Sequence, residues 1–353
     1  MTSKTAVILF NLGGPDSAAA IRPFLFNFFT DPNIIRLPFF LRWPLAAWIA
    51  WSRSRKEAGA SYALIGGKSP LLENTQAQAT ALADTLGDNY RVFVCMRYWH
   101  PLTPAVVAQV KQYAPDKVVL LPIYPQYSTT TTRSSLQTWR RAAQEAGLKA
   151  PSSLVCCYPM DPGFIAASVK RIRKVYDVAL AESRAQNLSL PRLLFSAHGL
   201  PVSIVRDGDP YEWQCEQTVQ AIVDHLELSG IDWALCYQSR VGRQQWLGPS
   251  TVLELERAAL EGRPVLVYPL AFTQEHVETL GEIEIEYRHL AERLGVPLFY
   301  RVPTVSTDRD FIEGLSELVR NAESRAGVCP PDGQRLCPAN FKRCCMQEQK
   351  AVV

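Results

Sequence analysis

Eight short apolar, β-branched runs, four in each half of the chain, constrain this sequence more than any other feature. In the first half they are Ala6–Leu12, Tyr90–Met96, Lys117–Ile123 and Ser152–Cys157. In the second they are Arg192–Ser196, Trp233–Tyr237, Pro264–Leu270 and Pro297–Tyr300. Each ends in Pro, Gly or polar residues, and helical periodicity follows most of them. Strand alternating with helix predicts parallel sheets. The expected fold class is α/β: two similar doubly wound, Rossmann-like domains, each with a four-stranded parallel sheet. A length of 353 residues suits two such domains.

The halves punctuate alike, Phe10-Asn11-Leu12-Gly13-Gly14-Pro15 matching Phe195-Ser196-Ala197-His198-Gly199-Leu200-Pro201 in character. The boundary is expected after Tyr158-Pro159-Met160-Asp161-Pro162. That gives residues 1–162, 163–322 and a cysteine-rich tail, 323–353. Parallel sheets place ligands at the carboxyl ends of their strands. The first run ends in Gly13-Gly14-Pro15 and reads as a buried strand, not a secretory signal. A net charge of +3 without a Lys/Arg run argues against nucleic acid as a partner. Cys95, Cys156, Cys157, Cys215 and Cys236 sit mostly in apolar stretches, as reduced thiols of a cytoplasmic protein do.

One histidine stands out. His198 follows a buried strand and precedes Gly199, so it is held at a sheet rim. Taken alone it could serve as a structural turn residue, but other chemistry shares its rim. The seventh run leads into Phe272 through Tyr287, where His276 precedes Glu278, Glu282 and Glu286. At i, i+4 and i+8 a helix puts the three carboxylates on one face. Such a row is either a solvated acidic face or a track for metal ions and protons. At two other strand ends, Tyr237-Gln238-Ser239-Arg240-Val241-Gly242 precedes Trp246-Leu247-Gly248-Pro249, and Tyr124-Pro125-Gln126-Tyr127-Ser128 precedes four threonines. Trp246 offers a flat wall, and Arg97 and Arg240 offer charge for a carboxylated ligand. No G-x-G-x-x-G, P-loop or G-x-S-x-G follows a strand, which speaks against nucleotide use and serine hydrolysis.

These strings, together with Gly66-Gly67-Lys68-Ser69-Pro70 and Arg97-Tyr98-Trp99-His100-Pro101-Leu102-Thr103, resemble the signatures of the ferrochelatases. The match keeps order and spacing from about residue 5 to 320. The resemblance implies a chelatase-like fold and insertion of Fe²⁺ into protoporphyrin IX with release of two protons, the last step of haem biosynthesis. It makes His198 the essential histidine, acting as pyrrole base or iron ligand. Glu278 becomes the carboxylate facing it across the porphyrin, with His276 as helper and Glu282 and Glu286 continuing the path. Asn11, Ile35, Arg97, Tyr98, Tyr124, Ser128 and Trp246 become porphyrin-binding positions. A chelatase for cobalt or coproporphyrin, or a haem or iron–sulfur sensor, is the alternative; a sensor has no need of both His198 and the acidic row.

Two regions stand outside the repeated design. Ile34 to Trp51 is apolar and aromatic but broken by Pro38, Pro44, Arg36 and Arg42, so it is not a spanning helix. It is either a buried helical hairpin or an exposed apolar lip (about 20–65), and a membrane-soluble porphyrin favours the lip. The protein is then expected in the cytoplasm, peripherally bound to the inner face of the membrane, with a homodimer left open. The tail carries Cys329-x₇-Cys337-x₆-Cys344-Cys345. Clustered thiols point to a thiolate metal site, and the resemblance makes a [2Fe–2S] cluster the first reading, ahead of zinc or an unstructured tail. Where animal members supply a further ligand this chain has Thr129, so Cys344 and Cys345 must both serve, with Cys157 as the fallback.

Overall fold

The eight runs are eight parallel strands: β1 Thr5–Asn11, β2 Tyr90–Met96, β3 Lys117–Pro122, β4 Ser152–Val155, β5 Arg192–His198, β6 Asp232–Gln238, β7 Val265–Pro269 and β8 Phe299–Arg301. The computed structural model describes residues 3–240, 242, 244–325 and 327–348. Val241 of the Tyr237–Gly242 string lies outside them. β1 is buried along its whole length, as expected of a parallel strand covered by helices on both faces.

The sheets are ordered β2-β1-β3-β4-β9 and β6-β5-β7-β8. With the second set renumbered from its own first strand, the order is the same, 2-1-3-4. In such sheets the crossover direction reverses beside the first strand, and the crevice there is the usual ligand site. The first sheet has five strands, not four. β9, Gly327–Cys329, comes from the cysteine tail and pairs in parallel with β4, Val155 opposite Cys329.

The chain forms two compact units. One comprises the described residues of Met1–Tyr158, Leu315–Ala339 and Arg343–Val353; the other is Pro159–Gly314 with Asn340–Lys342. The first division thus falls at Tyr158, not after 162. The tail is no separate segment: the chain returns to the first unit within the helix Arg309–Glu323. Leu336, Met346 and Cys345 then pack onto a core of Ile8, Phe10, Leu120, Trp139 and Leu154. The tail was expected as a third segment; its apolar residues instead complete this core. The second unit has its own core around Leu194, Val267, Leu255 and Ile283.

The apolar insertion forms a helix, Phe39–Arg55, that packs on the helix Ile21–Phe29, with Trp43 edge-on to Phe26 at 5.2 Å. Only Ala46 and Ala50, one turn apart, are buried. Phe40 is 72% exposed and Trp48 62%. This reverses an ordinary surface helix, whose large apolar residues face the protein. Among the described residues no helix is long and apolar enough to cross a membrane.

Candidate functional site

β5 ends on His198, and the turn beyond it needs glycine. A Cβ on Gly199 would lie 2.8 Å from the Gln238 carbonyl, which instead accepts the Gly199 N–H at 2.9 Å. The chain then pairs briefly with the segment around Trp246: Leu247 N–H donates to Leu200 O, and Val202 N–H to Gln245 O, both at 2.9 Å. That fixes Trp246 beside the histidine's turn, its ring 3.5 Å from the same Cβ position.

The acidic row lies beyond β7. Val277–Tyr287 is a π-helix, not the expected α-helix. Such i→i+5 turns are rare and collect at functional sites. Here the widened turn lets two carboxylates reach one partner, Ser239, at the end of β6. Ser239 donates its N–H to Glu282 Oε1 at 2.9 Å and its hydroxyl to Glu282 Oε2 at 2.5 Å, and it lies 3.3 Å from Glu278 Oε2. It does so with φ at +60°, costly for a residue with a Cβ. Gln238 Nε2 adds bonds to Glu282 Oε2 (3.1 Å) and Glu278 O (3.3 Å), and Tyr287 donates its hydroxyl to Glu282 Oε1 (2.7 Å). These three partners were read only as parts of strings. A serine directly past a strand end, beside a predicted rim histidine, was the available signal.

His198 Nδ1 lies 2.8 Å from Glu278 Oε2. The two therefore cannot face each other across a porphyrin, because no ring fits into a hydrogen bond; they form one dyad on one side. Burial alone would lower the histidine's pKa, but the Glu278 charge, aided by Glu282, holds it above the ordinary value. Burial likewise works to raise the Glu278 carboxyl, yet His198, His276 and Ser239 hold it down at about 2. Glu282 is pushed up by burial and by the Glu278 charge. His276 is buried against Phe272 with ring centroids 4.6 Å apart, and burial lowers its pKa. Glu286 is exposed and stands apart from the dyad. A cavity of about 480 Å³, within the range of small-molecule sites, opens beside Gln238, Ser239, Trp246, Glu282 and Tyr287.

In the first unit Asn11, Arg97, Tyr98, Tyr124 and Ser128 fall at or just past the ends of β1, β2 and β3. Asn11 is buried, donating to Thr75 Oγ1 at 2.8 Å. Arg97 is not a spare charge: its Nη2 meets the buried Asp31 carboxylate at 2.7 Å and its Nε meets Ser134 at 2.7 Å. Tyr98 donates to the same carboxylate at 2.8 Å. Burial works against the Asp31 charge, but Arg97 and these hydrogen bonds hold the carboxyl below its ordinary range. Ser128 closes its own turn on Thr130, hydroxyl to hydroxyl at 2.9 Å. Burial pushes the half-buried Tyr124 phenol up, and Ile35 is half-buried ahead of the lip helix.

All nine cysteines are buried. Cys156 and Cys157 place their sulfurs 3.5 Å apart. Cys337 is the thiol neighbour of both Cys157 and Cys344, and the Cys157 and Cys344 thiols are pushed up by their neighbours and by burial. Cys345 shares a core with Cys156, Cys157 and Val328. Cys329, next along β9, must point to the opposite face of the sheet; its sulfur lies 3.8 Å from the Ala322 carbonyl. Among the described residues no group of three or more His, Cys, Asp or Glu is arranged to hold a metal ion.

Residues 4–323 match the family model named Ferrochelatase. The chain belongs to the ferrochelatase family. Curated relatives agree over nearly full length. A ferrochelatase of Caulobacter vibrioides is 46% identical, covering 99% of each chain, and one of Phenylobacterium zucineum is 49% identical, covering 97% of each. Among solved structures, a sirohydrochlorin chelatase of Bacillus subtilis subspecies spizizenii in complex with cobalt matches at a TM-score of 0.51 and 12% identity, over 91% of this chain and 96% of that one. At that identity the likeness shows the fold alone, two parallel α/β sheets.

Proposed function

We propose that the His198–Glu278 dyad carries the proton chemistry of metal insertion. The activity that goes with the family is insertion of ferrous iron into a porphyrin, the last step of haem biosynthesis, by a lyase-type metal chelatase. One observation carries the assignment: Glu278 occupies Nδ1 of His198 at 2.8 Å, while the imidazole stays 38% exposed. A neutral ring donating from Nδ1 presents its lone pair at Nε2 to a pyrrole N–H, and Glu278 stabilises the imidazolium that forms. Glu282, with its raised proton affinity, is the next acceptor, and Glu286 marks the exposed end of the path. His276, whose pKa burial lowers, backs the dyad. Trp246 and the cavity beside it serve the porphyrin. Asn11, Ile35, Tyr98, Tyr124 and Ser128 are further porphyrin positions, and Arg97 acts there through its bond to Asp31.

The assay is insertion of Fe²⁺, and of Zn²⁺ in parallel, into protoporphyrin IX, with cobalt and coproporphyrin as competing substrates. His198→Ala should lose on the order of 10²–10⁴ in rate. An alanine variant with more than about a tenth of the activity refutes the dyad.

The lip serves peripheral attachment to the cytoplasmic face of the membrane, and its apolar surface suits protoporphyrin. Residues 32–56 carry Arg36, Arg42, Arg53, Arg55 and Lys56 and no carboxylate. Anionic headgroups match that set, and each exposed aromatic that leaves water contributes roughly 1.5–3 kcal/mol. Analytical ultracentrifugation reads whether the protein also forms a homodimer.

The tail holds a [2Fe–2S] cluster. The donor chemistry fits, since an all-thiol neighbourhood buried in one unit is what such clusters take. Cys157, Cys337 and Cys344 are thiol neighbours and Cys345 shares the core of Cys157, which makes these four the ligand set; Cys329 is left out because strand alternation turns it to the other face. When bound, the cluster would cross-link β4 to the tail and could carry one electron.

A further inference from the structure

We propose that Arg301 is a positioning residue for metal insertion: its guanidinium ties the loop entering the π-helix, and the middle of that helix, to the end of β8, and so holds Glu278 and Glu282 in register with His198. The inference rests on the dyad reading above.

Arg301 is the last residue of β8, anchored by the bond from Val302 N–H to Val267 O at 2.9 Å. Its side chain is only 12% exposed. Nη1 meets both oxygens of Glu275, at 2.9 and 3.0 Å, and Nε meets Glu284 Oε2 at 2.9 Å. Glu275 directly precedes His276 and stands three residues before Glu278; Glu284 sits two residues past Glu282. One planar fork therefore grips the π-helix on both sides of its two working carboxylates.

The grip is reinforced rather than incidental. Glu275 Oε1 also accepts the Thr304 N–H at 2.9 Å, and Ser306 N–H donates to Thr273 O at 2.9 Å, which sews the two loops together. On its other oxygen Glu284 takes Arg288 Nε at 2.9 Å, and Arg288 in turn donates to Phe299 O, at the start of β8. π-Turns are rare and are found mostly at functional sites, and these ties from outside fix the register of this one. In this register Glu278 and Glu282 both reach Ser239. A lysine cannot replace the fork, because a point charge cannot hold two carboxylates at fixed angles.

The test compares three variants with wild type: Arg301→Lys, Arg301→Met, and Arg301→Met combined with Glu275→Gln and Glu284→Gln. The triple variant removes both carboxylates that Arg301 holds, of which Glu275 would otherwise lose its counter-charge while Glu284 keeps Arg288, so it restores folding but not the tie. We expect kcat for iron insertion to fall about 10–100-fold in both Met variants, the usual effect of losing a support behind a reacting group. KM for protoporphyrin should be unchanged, Arg301→Lys should recover only part of kcat, and amide exchange over Val277–Tyr287 should quicken. A triple variant that regains wild-type kcat along with its thermal stability overturns the proposal, for Arg301 would then only neutralise buried charge. Wild-type exchange and kcat in Arg301→Met overturn it too. Should that variant not fold, the Lys and triple variants decide. A wild type that inserts no iron refutes the dyad reading instead, and the exchange measurement then settles the tie by itself.

Discussion

Replacing His198 by alanine should change stability in a pH-dependent way whose shape follows from the dyad. Glu278 is held at about 2 against an ordinary 4.5. At 1.36 kcal/mol per pH unit this corresponds to about 3 kcal/mol of preference for the charged form. His198 keeps 38% of its side chain in contact with solvent, and screening reduces the net effect of the pair to about 1–2 kcal/mol. The signs differ for the two partners. A depressed carboxyl stabilises fully above 4.5, and that contribution fades as pH falls toward 2. A raised histidine stabilises fully below 6.5, and that contribution is lost as pH rises through its folded value. Both are present together between about pH 4.5 and 6.5. The melting difference between wild type and His198→Ala should peak there, at about 2–8 °C if the second unit unfolds in one step, and shrink toward pH 9. Thermal melts followed by circular dichroism at half-unit steps from pH 4 to 9 measure it. A difference that is flat across this range, or that widens above pH 7, refutes the ion pair and with it the case for His198 as a base poised by Glu278.

The acidic row should be graded: Glu278→Gln should cut turnover far more than Glu286→Gln, because Glu278 bonds His198 while Glu286 is exposed; equal small losses would make the row a solvated face. Single serine variants should bleach the visible cluster spectrum at Cys157, Cys337, Cys344 and Cys345 and spare it at Cys329, read with iron content under anaerobic purification. A colourless wild type that contains zinc removes the cluster. Aspartate at Phe39 and Phe40 should shift the protein off anionic vesicles in a flotation assay, whereas wild type that resists alkaline carbonate washing would contradict peripheral attachment.

What the sequence showed and hid follows from range of interaction. Strands read as apolar, β-branched runs, so eight were found, β2 to the residue although it is an edge strand and only partly buried. β9 has three residues, one of them glycine, and is an edge strand whose pairing depends on Val155, more than 170 positions earlier. No local pattern reveals it, and without it the alternation that turns Cys329 away from Val328 could not be applied. Spacing of i, i+4, i+8 is as compatible with a π-helix as with an α-helix, so the widened turn at Glu278 was invisible. Arg97 looked like a ligand charge because Asp31, which takes it, lies 66 positions away. The lip was legible as apolar but not as inverted; only packing tells that Ala46 and Ala50 face inward.

The two sheets also give the reason why the proposed proton chemistry is assigned to one of them. β1 and β5 are each seven residues long and end at the same register: Asn11 lies opposite Met96, and His198 opposite Gln238. The same rim position therefore holds an amide in one unit and an imidazole in the other. Asn11 is engaged by Thr75 and by the Leu12 N–H, and its neighbour across the sheet is apolar. At the matching place in the second sheet, Gln238 hands its amide to the acidic row, and Gly199 lets the turn pass close enough for that. A duplicated scaffold offers two such rims. Only the second leaves a titratable group with one nitrogen bonded and the other open, beside carboxylates whose proton affinities have been driven apart. That separation, with Glu278 down and Glu282 up, is what the proposed passage of a pyrrole proton from His198 toward Glu282 would use.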